Sequence, residues 1–382
     1  MDTDLFENIP DNNMAESVVT TSNSVNITSD VSIVLKKTYI ELPSCNVIKS
    51  IVQKAFAIIQ KDIKSLFEQI SSKISIILDI WTFCTNVLFI CITVHWIDSN
   101  WRLKKILLNI CMLLHSHTGD KIDAKLHSVF VAFNLTDKVL CATTNRGSNM
   151  ILAMRLLKNN LVLQNYNFYF QSRRCLAHVL NLVITNGLSL IKSSIEKVHN
   201  FVNIVLSSSS LTQDFKELRQ SVSEGETTRK IPQDVSTHWN STYFMLSTYI
   251  TMPITISAII RRNKKLEKFK LTLQKKTNLQ AAAQFLKPFY ETSNVLSGST
   301  YTTLGISILL IDDIVKNISL CIQNLESPKF LKTVTTQMFE KIQKYANKIY
   351  DKTAFIAAIL YPWIKLELIS VDMNTEANRT IF

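Results

Sequence analysis

Glycine and proline are scarce in this 382-residue sequence, at six and seven residues. Their scarcity excludes a collagen-like or Gly/Pro-rich low-complexity chain, and with 47% hydrophobic residues it predicts a folded, rather helical protein with only local disorder. Seven cysteines, Cys45, Cys84, Cys91, Cys111, Cys141, Cys175 and Cys321, are odd in number and form no C-x-x-C pair. That argues against a disulfide framework and suits reduced thiols in an intracellular protein. The longest apolar run, Val87–Ile97, is about half of a bilayer-spanning segment and contains His95. The amino terminus lacks the basic flank and apolar core of a secretory signal, so the expectation is a protein without a membrane span.

Positive charge is also missing at the start. Six acids (Asp2, Asp4, Glu7, Asp11, Glu16 and Asp30) and no Lys or Arg precede Lys36, and residues 1–35 read as a disordered acidic leader rich in Asp, Asn, Ser and Thr. The formal net charge is +12, and setting those six negative charges aside leaves +18 on the remainder. A field of that sign favours polyanions, nucleic acid foremost, without specifying sequence or strand. The length allows two or three structural units.

Along the chain, apolar positions from Val47 to Ile70 recur at three and four, the period of an amphipathic helix. Three strand-like segments follow, Ile74–Phe83, Val87–Trp96 and Trp101–Leu113, with short polar connections that predict an antiparallel meander. A helical period through Ile122–Phe133 leads to a strand at Lys138–Thr144 and a helix at Ser148–Lys158. A strand–helix–strand link of this kind makes the fourth strand parallel to a neighbour, giving a mixed sheet with helices against it. Residues 175–209 read as helical, Ser221–Gln233 as a linker, and nearly every segment from Trp239 to Ile369 as helix.

One charge interrupts the first strand. The run Ile74–Phe83 is almost continuously apolar except for Asp79, a carboxylate that costs free energy there without a partner, a hydrogen bond or a metal. It is the first candidate site residue. The plain alternative is a strand-end carboxylate bonded to neighbouring backbone.

Several phrases in this order resemble the transposase core of the hAT superfamily and the zinc-finger BED-type proteins related to it. They are LDIWT at Leu78–Thr82, ITVHWID at Ile92–Asp98, HTGDKI at His117–Ile122, TTNRGSNM at Thr143–Met150 and CLAHVLNL at Cys175–Leu182. DVSTHWNSTYFML at Asp234–Leu246, FLKPFYETSNVLSGSTYTTL at Phe285–Leu304 and AAILYPWIKL at Ala357–Leu366 continue the series. The resemblance covers about residues 45 to 370. It implies an α/β fold: an RNase H-like mixed sheet core interrupted by a mainly α-helical insertion domain. The division it suggests is 1–35 leader, 36–210 amino-terminal part of the core, and 211–382 helical insertion, ending before the rest of the core.

In that family two aspartates and a distant glutamate hold two divalent ions, which activate a nucleophile and stabilise the leaving oxygen at a phosphodiester. Asp79 matches the first. Asn145 stands at the second position, with Arg146 beside it, and the third acid belongs to a carboxy-terminal segment beyond this sequence. The expectation is therefore no catalysis, no metal and no cofactor, with Asp79 as a remnant. The family's BED finger needs paired Cys and His ligands, whereas the first 80 residues hold only Cys45 and no histidine. Cys175 and His178 form a C-x-x-H pair, but two ligands do not make a zinc site.

For nucleic acid, the resemblance points to Arg173 and Arg174 as phosphate contacts and to Trp239 as a base-stacking residue, with His238 where the family has Arg. Trp239 as plain core is the equal alternative. Between Arg261 and Lys276, including Arg262, Lys264, Lys265 and Lys275, eight basic residues face one acid, Glu267, for a local charge of +7. That imbalance exceeds what i,i+4 pairing neutralises, so it suits a phosphate-facing patch as well as a solvated helix face. The sequence reading is a catalytically inactive nuclear protein with weak DNA binding of low specificity, open to a protein partner or self-association, and with no small-molecule substrate. Its alternative is a domesticated regulatory protein acting through the helical region.

Overall fold

A computed structural model of the chain describes residues 44–83, 87–113, 118–145, 147–164, 170–222, 231–232, 239–345, 349–362 and 364. The acidic leader, most of the expected linker, Arg146 and His238 lie outside these residues. Residues 1–57 and 58–382 form separate units. In the first, Ser44 opens helix α1 (Cys45–Gln69), its Oγ accepting from the Val47 N–H at 3.4 Å.

In the second unit, the end of α1 contributes Phe67, fully buried and edge-on to Trp96 at 5.9 Å. Lys138 Nζ donates to the Phe67 and Ile70 carbonyls, satisfying acceptors that the helix end leaves open. Strands β1 (Ile74–Thr82), β2 (Leu88–Ile97) and β3 (Leu103–Leu113) form the expected antiparallel meander. Helix α2 (Gly119–Ala132) leads to β4 (Val139–Thr144), which pairs parallel with β1 as expected. Helix α3 (Ser148–Gln164) then leads to a strand that no apolar pattern announced, β5 (Gln171–Arg174), parallel to β4. The sheet order is β3-β2-β1-β4-β5.

Period-2 alternation decides which face is buried. Ile74, Ile76 and Leu78 of β1 and Ile90, Ile92 and Val94 of β2 turn inward and pack with Ile122, Leu126 and Phe130 of α2 and Met154 and Leu157 of α3. Although the run of β1 is almost continuously apolar, Ile77, Asp79 and Trp81 point to the other face and are exposed.

The remainder is helical: α4 (Leu176–Leu188), α5 (Lys192–Ser207), α6 (Ser209–Val222), α7 (Trp239–Ile250), α8 (Pro253–Arg262), α9 (Leu273–Leu296), α10 (Leu304–Gln323), α11 (Lys329–Gln343) and α12 (Lys352–Ile359). The expected single helical stretch at 175–209 is thus α4 and α5, joined by a 3-10 turn at Ser189–Ile191. A second hydrophobic cluster joins Val183 and Ile184 of α4, Phe201 of α5, Phe215 of α6, Leu246 of α7, Leu286 of α9 and Met338 of α11. Among the described residues no single helix is long and apolar enough to cross a membrane.

Candidate functional site

Parallel pairing of β1 with β4 ends at Leu78 opposite Thr144, so Asp79, still in β1, and Asn145, just past β4, lie side by side. Crevices at the carboxyl ends of parallel strands are where α/β sheets bind ligands. Here the Asn145 amide donates from Nδ2 to Asp79 Oδ1 at 2.7 Å. The Cys175 N–H donates to the Thr144 carbonyl at 3.0 Å, which holds the start of α4 against the same strand end.

The electrostatics of this corner are close to neutral. Burial pushes the Cys175 thiol above its ordinary value and Asp79 adds to the rise, while the backbone N–H groups of His178 and Ala177 oppose it. Burial pushes His178 down, against the pull of Asp79. Both shifts disfavour a charged thiol or imidazole beside Asp79.

Magnesium is a hard ion that takes oxygen ligands, carboxylates above all, and a two-metal site needs several of them. The residues present do not fit such a pair: one carboxylate is here, and the neighbouring side chain turns an amide N–H toward it. Among the described residues no three His, Cys, Asp or Glu side chains come together as metal ligands. No reaction step is derived through a metal at this position.

The residues expected to meet nucleic acid separate into three environments. Arg173 and Arg174 lie on β5. The Arg173 guanidinium forms an ion pair with Asp351, and the two side chains are 13% and 31% exposed. Arg174 sits over the Tyr345 ring, 5.8 Å from its centroid. Trp239, at the start of α7, is 7% exposed, with its ring 6.2 Å from that of Tyr243, which in turn stacks on Tyr290 at 4.8 Å. Both readings of Trp239 thus meet a buried ring in this conformation.

Arg261, Arg262, Lys264, Lys265, Lys268 and Lys270 are exposed, and Lys275 and Lys276 half-buried. The run leaves α8, turns through a 3-10 segment at Lys264–Phe269 and enters α9. Leu266 and Phe269 anchor that segment in the helical core and leave its lysines outside. Asn263 Oδ1 accepts from the Lys265 N–H at 3.0 Å, and Thr272 Oγ1 from the Lys275 N–H at 3.3 Å, fixing the backbone beneath the charges. Among the described residues none of the eight forms an ion pair. Their charge is open to a polyanion.

Sequence reasoning missed Asp351. It caps α12 by accepting from the Ala354 N–H at 2.9 Å while it pairs with Arg173 and accepts from Gln171 at 3.5 Å. The one legible signal was an Asp directly before Lys352-Thr353-Ala354, the spacing of an N-cap.

Two family models match, one described as the ZBED1 RNase-like domain over residues 77–169 and one as the ZBED1 RNase-like helical domain over residues 173–285. The first runs from within β1 through α3, and the second from the end of β5 into α9. Among curated relatives, the protein named "Putative AC transposase" of Zea mays is 28% identical over 331 residues, covering 80% of this chain and 38% of its own length. The zinc finger BED domain-containing protein RICESLEEPER 1 of Oryza sativa subsp. japonica is 24% identical over 334 residues, covering 84% and 45%. The chain thus spans less than half the length of either. With an RNase H-like mixed sheet followed by a helical region, and with these matches across both, the chain is a hAT transposase-derived protein.

Proposed function

We propose that this chain is catalytically inactive and retains nuclear DNA binding of low specificity, carried mostly by charge. The observation that carries the first half is the Asn145 amide bonded to Asp79, which replaces an anionic ligand with a neutral donor. The second half rests on the cations between Arg261 and Lys276, six exposed and two half-buried, none of them in an ion pair among the described residues. Arg173 is left out of the DNA-contacting set, because Asp351 already neutralises it. The sheet cluster ends at Phe170 and the helical cluster begins at Val179, which moves the proposed division between core and helical region from 210 to about 175.

DNA affinity should fall steeply with salt, and changing Lys264, Lys265, Lys275 and Lys276 to Ala should lower both the affinity and the slope. Absence of salt-dependent binding at low ionic strength overturns the binding half. Mg²⁺- or Mn²⁺-dependent strand cleavage that disappears in Asp79→Ala overturns the inactive half.

A second reading, a regulatory protein acting through its helices, draws on one feature. A cavity of about 340 Å³ beside α5 and α6 is lined by Val202, Val205, Leu206, Phe215, Lys216 and Arg219 among others. A protein of Talaromyces stipitatus named as a transcriptional regulator, tpeD, is 24% identical over 297 residues, covering 69% of this chain and 34% of its own length. Partner binding that survives the four lysine changes and is lost on Leu206→Glu favours this reading over the first.

A further inference from the structure

We propose that Trp101, at the tip of the β2–β3 hairpin, stacks on an unpaired base of DNA, a contact that rests on the charge-carried DNA binding proposed for this chain and gives it a preference for single strands. The indole is 88% exposed and its backbone is held at φ 59°. The loop explains the angle. The Trp101 N–H donates to the Asp98 carbonyl and the Asp98 N–H to the Arg102 carbonyl, both at 3.0 Å. In a three-residue hairpin loop closed this way, the last residue is left-handed, and glycine is its usual occupant. Asp98 Oδ1 accepts from the N–H groups of Asn100 and Arg102 at 3.0 and 2.9 Å, and Oδ2 lies 3.5 Å from Lys104 Nζ. The ring is therefore presented on a loop already fixed by its own bonds, so a partner has little left to order.

This side chain gives the fold no packing. It adds a backbone strain that glycine avoids and leaves most of its ring in solvent, and strained residues held by a well-determined frame cluster where ligands bind.

The charge of the hairpin selects the partner. Asp98 is the sole acid of β2, the loop and β3, and Lys104 offsets it. Arg102 and Lys105 are exposed and form no ion pair among the described residues. Lys104 and Lys105 are consecutive on β3 and point to opposite faces of the hairpin. The sequence neighbours of the ring, Ser99, Asn100 and Arg102, are polar and exposed, whereas a lipid surface or a protein hot spot calls for apolar ones. A lone flat ring among cations suits the base and phosphates of a single strand, because stacking needs an open base face and no particular sequence.

The tip is remote from Asp79. Asp79 pairs with Cys91, and β2 runs on from there to Ile97, about 20 Å away, before the loop begins. Trp101 is a contact separate from the Asp79–Asn145 corner.

The test is fluorescence anisotropy of a labelled single strand, of the same strand carrying abasic sites, and of the blunt duplex, each titrated with the full chain and with Trp101→Gly. The wild type should bind the intact single strand most tightly, and Trp101→Gly should bind it about 5- to 100-fold more weakly, the value of one stacked base. The two proteins should bind the duplex alike and the abasic strand nearly so, and Trp101→Phe should retain part of the difference. The melting temperature of Trp101→Gly should equal or exceed that of the wild type, which separates lost stacking from unfolding; a lower one places the ring in a packing contact of the fold and overturns the proposal. Equal affinity of the wild type and Trp101→Gly for the single strand, with binding still lowered by changing Lys264, Lys265, Lys275 and Lys276 to Ala, overturns the stacking contact alone. Absence of salt-dependent binding to all three DNAs overturns it together with the reading on which it rests. Trp101-dependent binding to phosphatidylserine vesicles in place of DNA overturns it as well.

Discussion

The Asn145 side-chain amide donates to Asp79 Oδ1 at 2.7 Å, joining two residues 66 apart in the chain where the parallel pairing of β1 with β4 ends. A position where a carboxylate would repel Asp79 in the absence of a cation instead holds a group that attracts it. The two side chains therefore meet without a cation between them.

Asn145→Asp reverses that exchange. The variant loses the bond and places two carboxylates together, so at neutral pH without divalent ions it should lose about 1 kcal/mol of stability, the value of one such bond at an open site. Adding Mn²⁺ should raise the melting temperature of the variant and leave the wild type unmoved. A Mn²⁺-dependent rise in the wild type that vanishes in Asp79→Ala refutes the reading of the corner.

Arg173 and Asp351 tie β5 to the cap of α12. Breaking a half-buried pair leaves one charge uncompensated, and Arg173→Ala should cost about 1–3 kcal/mol in urea unfolding. Asp351→Ala should cost more, since it also removes the acceptor for the Ala354 N–H. The two losses should be less than additive in the double variant. Additive losses would show that the pair contributes nothing in solution.

A half-buried histidine and a buried carboxyl give opposite pH dependences. Burial, with Lys105 nearby, holds His95 below its ordinary 6.5, so the unfolded chain takes up a proton first and stability falls as pH drops below about 6.5. Burial holds the Asp123 carboxyl above its ordinary 3.8, against the pull of His127 and the bond from Asn160. Its folded form keeps its proton longer, and that contribution is lost as pH rises through the carboxylate range. Denaturant midpoints between pH 4 and 8 should therefore fall less below pH 6.5 in His95→Gln, and Asp123→Asn should be more stable than the wild type at pH 7. An unchanged slope in His95→Gln assigns the acid limb to other groups.

Trp101 is held at φ 59° in the turn between β2 and β3, with its side chain 88% exposed. Asp98 Oδ1 accepts from the N–H groups of Asn100 and Arg102 and fixes that turn. A residue with a Cβ is strained at this angle and glycine is not, so Trp101→Gly should gain about 0.5–1 kcal/mol. A loss on substitution would mean that the indole packs on something outside the described residues.

Local periodicity carried much of the fold into view before any coordinates. Apolar runs bounded by short polar connections mark β1, β2 and β3, and recurrence at three and four marks α1 and α2, because each pattern is set by the geometry of a single element. The family resemblance likewise followed from phrases that are contiguous in sequence, and it placed Asn145 where an acid is expected. The +7 run at 261–276 was legible as charge, though not as an exposed, backbone-fixed surface.

What the sequence by itself determined is therefore the strands of the meander, the amphipathic helices, the charge of the basic run and the residue at the second acid position. Only the tertiary structure decided the rest. Strand β5 is Gln-Ser-Arg-Arg, which has no apolar pattern and becomes a strand only because β4 supplies its hydrogen bonds. Arg173 became an ion-pair partner through Asp351, 178 residues away, and Trp239 became buried against Tyr243 once α7 packed into the helical core. Asp79 became an exposed hydrogen-bond acceptor because the outer face of β1 is open. Each of these outcomes depends on groups distant in sequence meeting in space, and residue spacing alone does not encode such meetings.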